Sequence, residues 1–172
     1  MESGASETGT ADSPNASLCT LLEIHRKQFG TIIIRGVSTA GAASEQQLDD
    51  FLTSVGEAIR APHGRELAEM SWLECAVNPF PDLFATPPGG VSLKVKDALL
   101  KKRFTDAQIG VAYDYLTRDD DIMGGLLGLA TYGGQVNTIA PHATASAHRG
   151  SILDIACTTG WLDPREEGTN LK

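Results

Sequence analysis

Positive charge is in short supply. The chain has 14 lysines and arginines against 22 acidic residues, a formal net charge of -8. A protein that grips nucleic acid needs a cationic face to displace counterions from phosphates. The balance here excludes that class and disfavours an anionic membrane surface. The one basic cluster, Lys94, Lys96, Lys101, Lys102 and Arg103, has no interleaved aromatics and reads as a solvated strand face. Cysteine is scarce as well. Cys19, Cys75 and Cys157 are odd in number and lack C-x-x-C spacing, which excludes a disulfide framework and a cysteine zinc site. They read as free thiols in a reducing compartment, so the expected location is cytoplasmic. Apolar runs are short and broken by glycine or charge, and none is long enough for a helix to span a bilayer. No basic-then-apolar leader opens the sequence.

What is present is an ordinary globular composition. With 41% hydrophobic and 21% charged residues in a length of 172, one domain with its own core is expected. Residues 1–15 are mostly Ser, Thr, Gly, Ala and acids. With almost nothing to bury, they are expected to form a disordered tail before a domain spanning 16–172.

Local patterns divide that domain. Ser17 to Lys27 and the β-branched run Thr31 to Val37, split at Gly30, predict an antiparallel hairpin. Ser44 to Ile59 predicts a helix, because Leu48, Phe51, Leu52, Val55 and Ile59 make one apolar stripe behind a Ser44–Gln47 capping box. Ser71 to Val77 repeats this on a shorter scale, with Ser71 and Glu74 as the box. Asn78 to Gly90, rich in proline, predicts an irregular loop. From Val91, strict alternation predicts a half-exposed strand, with Leu93 and Val95 on one side and Lys94 and Lys96 on the other. Thr105 to Leu116 predicts a helix boxed by Thr105 and Gln108, its stripe made of Ile109, Ala112, Tyr113 and Leu116. After an acidic turn at Asp119–Asp121, Met123 to Ile139 predicts a long glycine-spaced strand or strand pair, and Ser151 to Thr159 a last strand. Asp163 and Pro164 then open a final helix. This order predicts an α+β fold: an antiparallel β-sheet with helices packed on one face.

Chemistry-bearing residues are few. Gly124 to Gly134 invites a phosphate-loop reading but lacks a G-K-S/T end, a G-x-G-x-x-G pattern and a capped helix after it. No nucleotide site is expected there. His142 and His148 are too irregularly placed for a helical metal pair, and no metal site is expected. Ser146, His148 and Asp154 could be written as a triad, but no G-x-S-x-G elbow exposes a nucleophile. His148 and Arg149, after a run of small residues, can orient a polar or anionic group. The plain alternative is that both hydrogen-bond loop backbone.

Two stretches together resemble a known pattern: Tyr132-Gly133-Gly134-Gln135-Val136-Asn137, then Pro141-His142-Ala143-Thr144-Ala145-Ser146-Ala147-His148-Arg149. Berberine-bridge-enzyme-like, FAD-linked oxidoreductases carry a similar YGG stretch, small residues and P-H-R near the end of their substrate domain, followed by a strand. Ser71-Trp72-Leu73-Glu74 resembles a short helix of bacterial members, and Pro88 to Lys96 with Thr105 to Thr117 matches their strand and helix. The resemblance covers residues 17–172 in order. It implies a substrate-binding domain, a small-molecule substrate in secondary metabolism, and contacts from Tyr132, Asn137, His148 and Arg149. His142 and His148 are its candidates for catalysis.

The departures are equally informative. The flavin-binding domain and the histidine and cysteine that commonly attach the flavin have no counterpart, so FAD is implied by the family but not expected to be bound by these residues alone. The proline of P-H-R is Ala147 here. The catalytic carboxylate that plant members place near His142 and Ala143 has no counterpart, so the resemblance implies that the general base is lost unless His142 replaces it. Three readings follow. The chain is a truncated flavin oxidoreductase whose flavin domain comes from a partner chain; or it is a flavin-free cyclase or isomerase; or it is a non-catalytic module that forms a homodimer. Yellow or colourless purified protein separates the first from the others.

Overall fold

The computed structural model describes residues 16–56, 64–77, 90–119 and 124–171. The tail at 1–15, the loop at 78–89, residues 57–59 of the helix expected to reach Ile59, and Asp120 and Asp121 lie outside the described residues. Among the described residues five strands and four α-helices follow in chain order: β1 (Leu18–His25), β2 (Ile32–Ser38), α1 (Ser44–Gly56), α2 (Trp72–Val77), β3 (Ser92–Leu100), α3 (Asp106–Thr117), β4 (Gly125–Thr131), β5 (Leu153–Trp161) and α4 (Glu167–Asn170). The strands form one sheet in the order β2-β1-β4-β5-β3, and every neighbouring pair is antiparallel.

Register assigns the two faces. Leu22 opposes Ile34 on one side and Leu129 on the other, Leu129 opposes Ile155, and Leu153 opposes Leu100. These residues share the face that α3 covers, where Leu22, Leu116, Leu127, Leu129 and Leu153 make the core. Burying each leucine contributes roughly 1.5–3 kcal/mol. Helices α1 and α4 sit on the same face. Leu48 of α1 packs where a Cβ on Gly36 would stand, and Asn170 of α4 accepts a 3.1 Å hydrogen bond from Thr159 Oγ1. The expected α+β sheet, helices on one side, is the architecture found.

Helix α3 is also pinned at its end. Arg26, 0% exposed, lies with its guanidinium over the Tyr115 ring (5.3 Å) and donates to the Arg118 carbonyl at 3.1 Å. Arg118 stacks on the same ring at 4.7 Å. A Cβ on Gly125 would come within 2.5 Å of the Arg26 side chain, so glycine is what lets the arginine lie there. The Lys27 ammonium pairs with Asp119 at 2.6 Å.

Four expectations change. The Ser44–Gln47 box does not form. A short 3-10 turn at Gly41–Ala43 already gives the Ser44 N–H the Gly41 carbonyl, and Gln47 Oε1 instead accepts from Ser17 (3.1 Å) and Ser38 (2.6 Å). On α3 the inner residues are Ala112, Tyr115 and Leu116, whereas Ile109 and Tyr113 are exposed. On β3 the apolar residues are the exposed ones, Leu93 at 59% and Val95 at 52%. The half-buried Lys94 runs along the helix side and donates to the Leu171 carbonyl at 2.8 Å, its stem covering apolar surface. Finally, the strand expected over Met123 to Ile139 stops at Thr131. Gly133 (φ 122°) and Gly134 (φ 58°) take a backbone course closed to most L-residues and enter a 3-10 turn at Gly134–Thr138.

The other boxes form as expected. Ser71 and Glu74 satisfy each other's N–H groups at 2.8 and 3.2 Å, and Thr105 and Gln108 do so at 2.8 and 3.3 Å. Asp163 caps the Pro164–Glu166 turn by accepting from the Arg165 N–H at 2.9 Å.

Candidate functional site

The face of the sheet away from α1, α3 and α4 is the candidate site. Strand alternation sends residues 154, 156 and 158 of β5 to that side, opposite Leu153 and Ile155 in the core. Across the strands one row reads Glu23, Gly128, Ala156, Asp97, and the next reads Leu21, Ala130, Asp154, Leu99. The floor at the centre is therefore made of Gly128, Ala130 and Ala156. With so little side chain, a flat molecule can lie close to the backbone.

Charge brackets the floor. On one side, the buried Glu23 carboxylate accepts from Arg35 Nε at 3.2 Å, which keeps a desolvated charge paired. On the other, Asp154 and Asp97 lie diagonally on adjacent strands. Burial pushes the Asp154 carboxyl above the usual carboxylate range, repulsion from Asp97 adds to this, and His148 partly offsets it.

The connection from β4 to β5, residues 132–152, forms the rim. Tyr132, just past the end of β4, is half-buried and donates its N–H to the Ile152 carbonyl at 3.1 Å. Asn137 donates from Nδ2 to the Ser151 carbonyl (2.9 Å) and accepts the Gly150 N–H at Oδ1 (2.7 Å). The Arg149 guanidinium donates to the Val136 carbonyl and to Thr144 Oγ1 (2.9 Å). His148 is exposed, with Asp154 within electrostatic reach. His142 is exposed on the outer turn, apart from this network. The structure thus places Asn137 and Arg149 in hydrogen bonds within one connection, and brings neither of them to His142. Glu23, Arg35 and Asp97 were not singled out by sequence reasoning, because their meeting depends on register between distant strands.

Among the described residues no group of three His, Cys, Asp or Glu side chains is placed to hold a metal ion. The three cysteines are free thiols. No helix among the described residues is long and apolar enough to cross a membrane.

An antiparallel sheet with helices on one side and a floor of small residues on the other defines an α+β domain. Comparison with known proteins sharpens this. No family model matches the sequence. Aclacinomycin-N/aclacinomycin-A oxidase of Streptomyces galilaeus is 30% identical over 163 residues, 94% of this chain and 29% of that protein. The crystal structure of CrmK, a flavoenzyme of caerulomycin biosynthesis, superimposes with a TM-score of 0.80 at 30% identity, covering 98% of this chain and 34% of CrmK. The glycopeptide hexose oxidase DBV29, solved with teicoplanin, gives a TM-score of 0.77 at 31% identity, covering 99% and 34%. The homologues and structural neighbours of this chain are berberine-bridge-enzyme-like, FAD-linked oxidoreductases, as the sequence resemblance implied. The chain spans about a third of the length of the relatives it matches.

The glycine-rich stretch from Gly124 to Gly134 builds no cradle for the pyrophosphate of FAD. That pyrophosphate needs a backbone cradle at a helix start. The Cβ position of Gly124 runs into the Gly160 carbonyl, and that of Gly128 meets the Ala156 carbonyl at 3.7 Å, so these glycines serve strand contact. Gly133 and Gly134 lead only into a single 3-10 turn.

Proposed function

We propose that residues 16–172 form the substrate-binding side of an FAD-linked oxidoreductase active site, with the flavin held by protein outside these residues, as a flavin-domain partner chain would hold it. The observation that carries this reading is the open face. A floor of Gly128, Ala130 and Ala156 suits a flat ring system, and its polar borders suit hydroxyl or amine substituents. The matching stretches of an aclacinomycin oxidase, a glycopeptide hexose oxidase and a biosynthetic flavoenzyme support it. The substrate class is therefore a small molecule of secondary metabolism.

The residues supply binding and orientation. Apolar neighbours of the floor, Leu21 and Leu126 among them, desolvate one side of the substrate. Tyr132 and His148 at the rim offer a phenol and an imidazole to its polar groups. Asp154 adds a carboxyl beside the floor, its pKa raised by burial.

Filling the floor tests this. Ala156→Leu is expected to weaken binding of aclacinomycin A or teicoplanin at least about tenfold by calorimetry, the size of a steric clash worth about 1.4 kcal/mol. Thermal melting should remain cooperative. Unchanged affinity for both probes in the filled variant would overturn the assignment of the face.

A further inference from the structure

The open side of the sheet sorts charge. Glu23 of β1, Asp97 of β3 and Asp154 of β5 project to it, and Arg35 of β2 joins them. Lys94 and Lys96 of β3 alternate to the helix side, where Lys94 bonds the Leu171 carbonyl. Among the strand residues, three carboxylates therefore share this side with one guanidinium and the His25 imidazole.

Glu23 is the most buried of the three carboxylates. Its side chain is 6% exposed, so water screens its charge little. Arg35 Nε donates to Oε2 at 3.2 Å, one bond where an arginine can give a carboxylate two in a fork. Oε1 is left to accept from another donor. The pair is not needed to join β1 to β2, which already pair from Leu18 to Ile24. On its other flank Glu23 stands opposite Gly128, and the atoms nearest to a Cβ built there belong to Ala156 and Leu126. The carboxylate thus borders the floor without filling it. Asp97 ends the same row three strand spacings away, roughly 14 Å at the backbone, so a single substituent cannot engage both.

We propose that Glu23 is a specificity-determining residue: its carboxylate, held by Arg35, accepts a hydrogen bond from a protonated amine carried by a flat ring system that lies over Gly128 and Ala156. An amine at the edge of such a ring gains a charge-assisted bond to a poorly screened carboxylate, whereas a hydroxyl gains an ordinary one. An anionic substituent would meet three carboxylates. This narrows the substrate to an amine-bearing molecule, and it rests on the substrate-side reading above.

Calorimetry of the intact 172-residue chain with two probes that differ at one group tests this. The probes are aminomethylanthracene, protonated at neutral pH, and hydroxymethylanthracene, both substituted on the central ring. Wild type is expected to bind the amine at least about tenfold more tightly than the alcohol. Glu23→Gln keeps the shape and an acceptor for Arg35, and should bring the two probes within about twofold while leaving the alcohol's affinity unchanged. Equal affinities in wild type overturn the proposal. A preference that survives E23Q also overturns it and belongs to Asp97 and Asp154 instead. A parallel loss of both probes in E23Q marks Glu23 as structural and overturns it too. Should E23Q lose its cooperative melt, intermolecular NOEs in wild type decide. Contacts from the aminomethyl protons to Glu23 and Gly128 uphold the proposal, and contacts to Asp97 or Asp154 in their place overturn it. The two readings fail differently: no binding of either probe sinks the substrate-side reading with this one, whereas a bound alcohol without an amine preference sinks this one alone.

Discussion

Asp154 shows what one residue contributes and how far it could be read in advance. The alternation of Leu153, Asp154, Ile155 and Ala156 already separates a core side from an open side in the sequence. Its proximity to Asp97 is not legible there, because it depends on β3 pairing with β5 in a register that no local pattern encodes. The raised carboxyl has a consequence for stability. The folded state binds this proton more tightly than the unfolded chain, so stability is fullest below the unfolded value and declines as pH rises through the raised folded value. Asp154→Asn is therefore expected to raise the melting temperature at neutral pH, with the gain vanishing in acid; a lower melting temperature at pH 7 would contradict the sign. Glu23 is held by a charged partner. Arg35→Ala leaves its buried carboxylate without that partner and should cost about 1–3 kcal/mol in denaturant unfolding. Arg26 was legible only as a polar strand end, and its burial depends on Gly125 and Tyr115, far away in the chain.

At the scale of elements, reciprocal capping was the most readable signal where nothing else competed for the residues. The boxes of α2 and α3 form because their partners are exposed and have no better acceptors nearby. The α1 box fails because Ser17 and Ser38, brought together by the hairpin, claim the Gln47 carbonyl first. Thr105→Ala should cost about 1 kcal/mol as the α3 cap is lost. Leu116→Ala, which opens a cavity under the sheet, should cost about 2–5 kcal/mol. Denaturant midpoints should rank the two in that order, and equal costs would mean that α3 does not seal the core. Apolar stripes were less readable than caps. On α3, Tyr113 and Tyr115 are equally apolar in pattern, and the choice between them was made by Arg26 and Arg118, which both pack against the Tyr115 ring. Glycine spacing misled over residues 123–139, since glycine permits both a strand and the turn that ends one.

For the whole molecule, the order of elements and the packing of α1 and α3 on the sheet followed from local patterns, because both helices carry apolar residues at helical spacing. What sits over the other side could not be read that way. The exposed Leu93 and Val95, the small floor and the paired charges of Glu23 and Arg35 gain a common explanation only as one surface. The chain is similar to flavin oxidoreductases over about a third of their length, and the proposal assigns that third to the substrate side. Amide NMR of the intact chain titrated with aclacinomycin A, and separately with teicoplanin, tests this account most directly. The account predicts that at least one probe perturbs Leu126, Gly128, Ala130, Ala156 and Tyr132 while Leu116 and the rest of α3 stay still. Perturbations centred on the helix side, or flavin retained tightly by the purified chain, would contradict it.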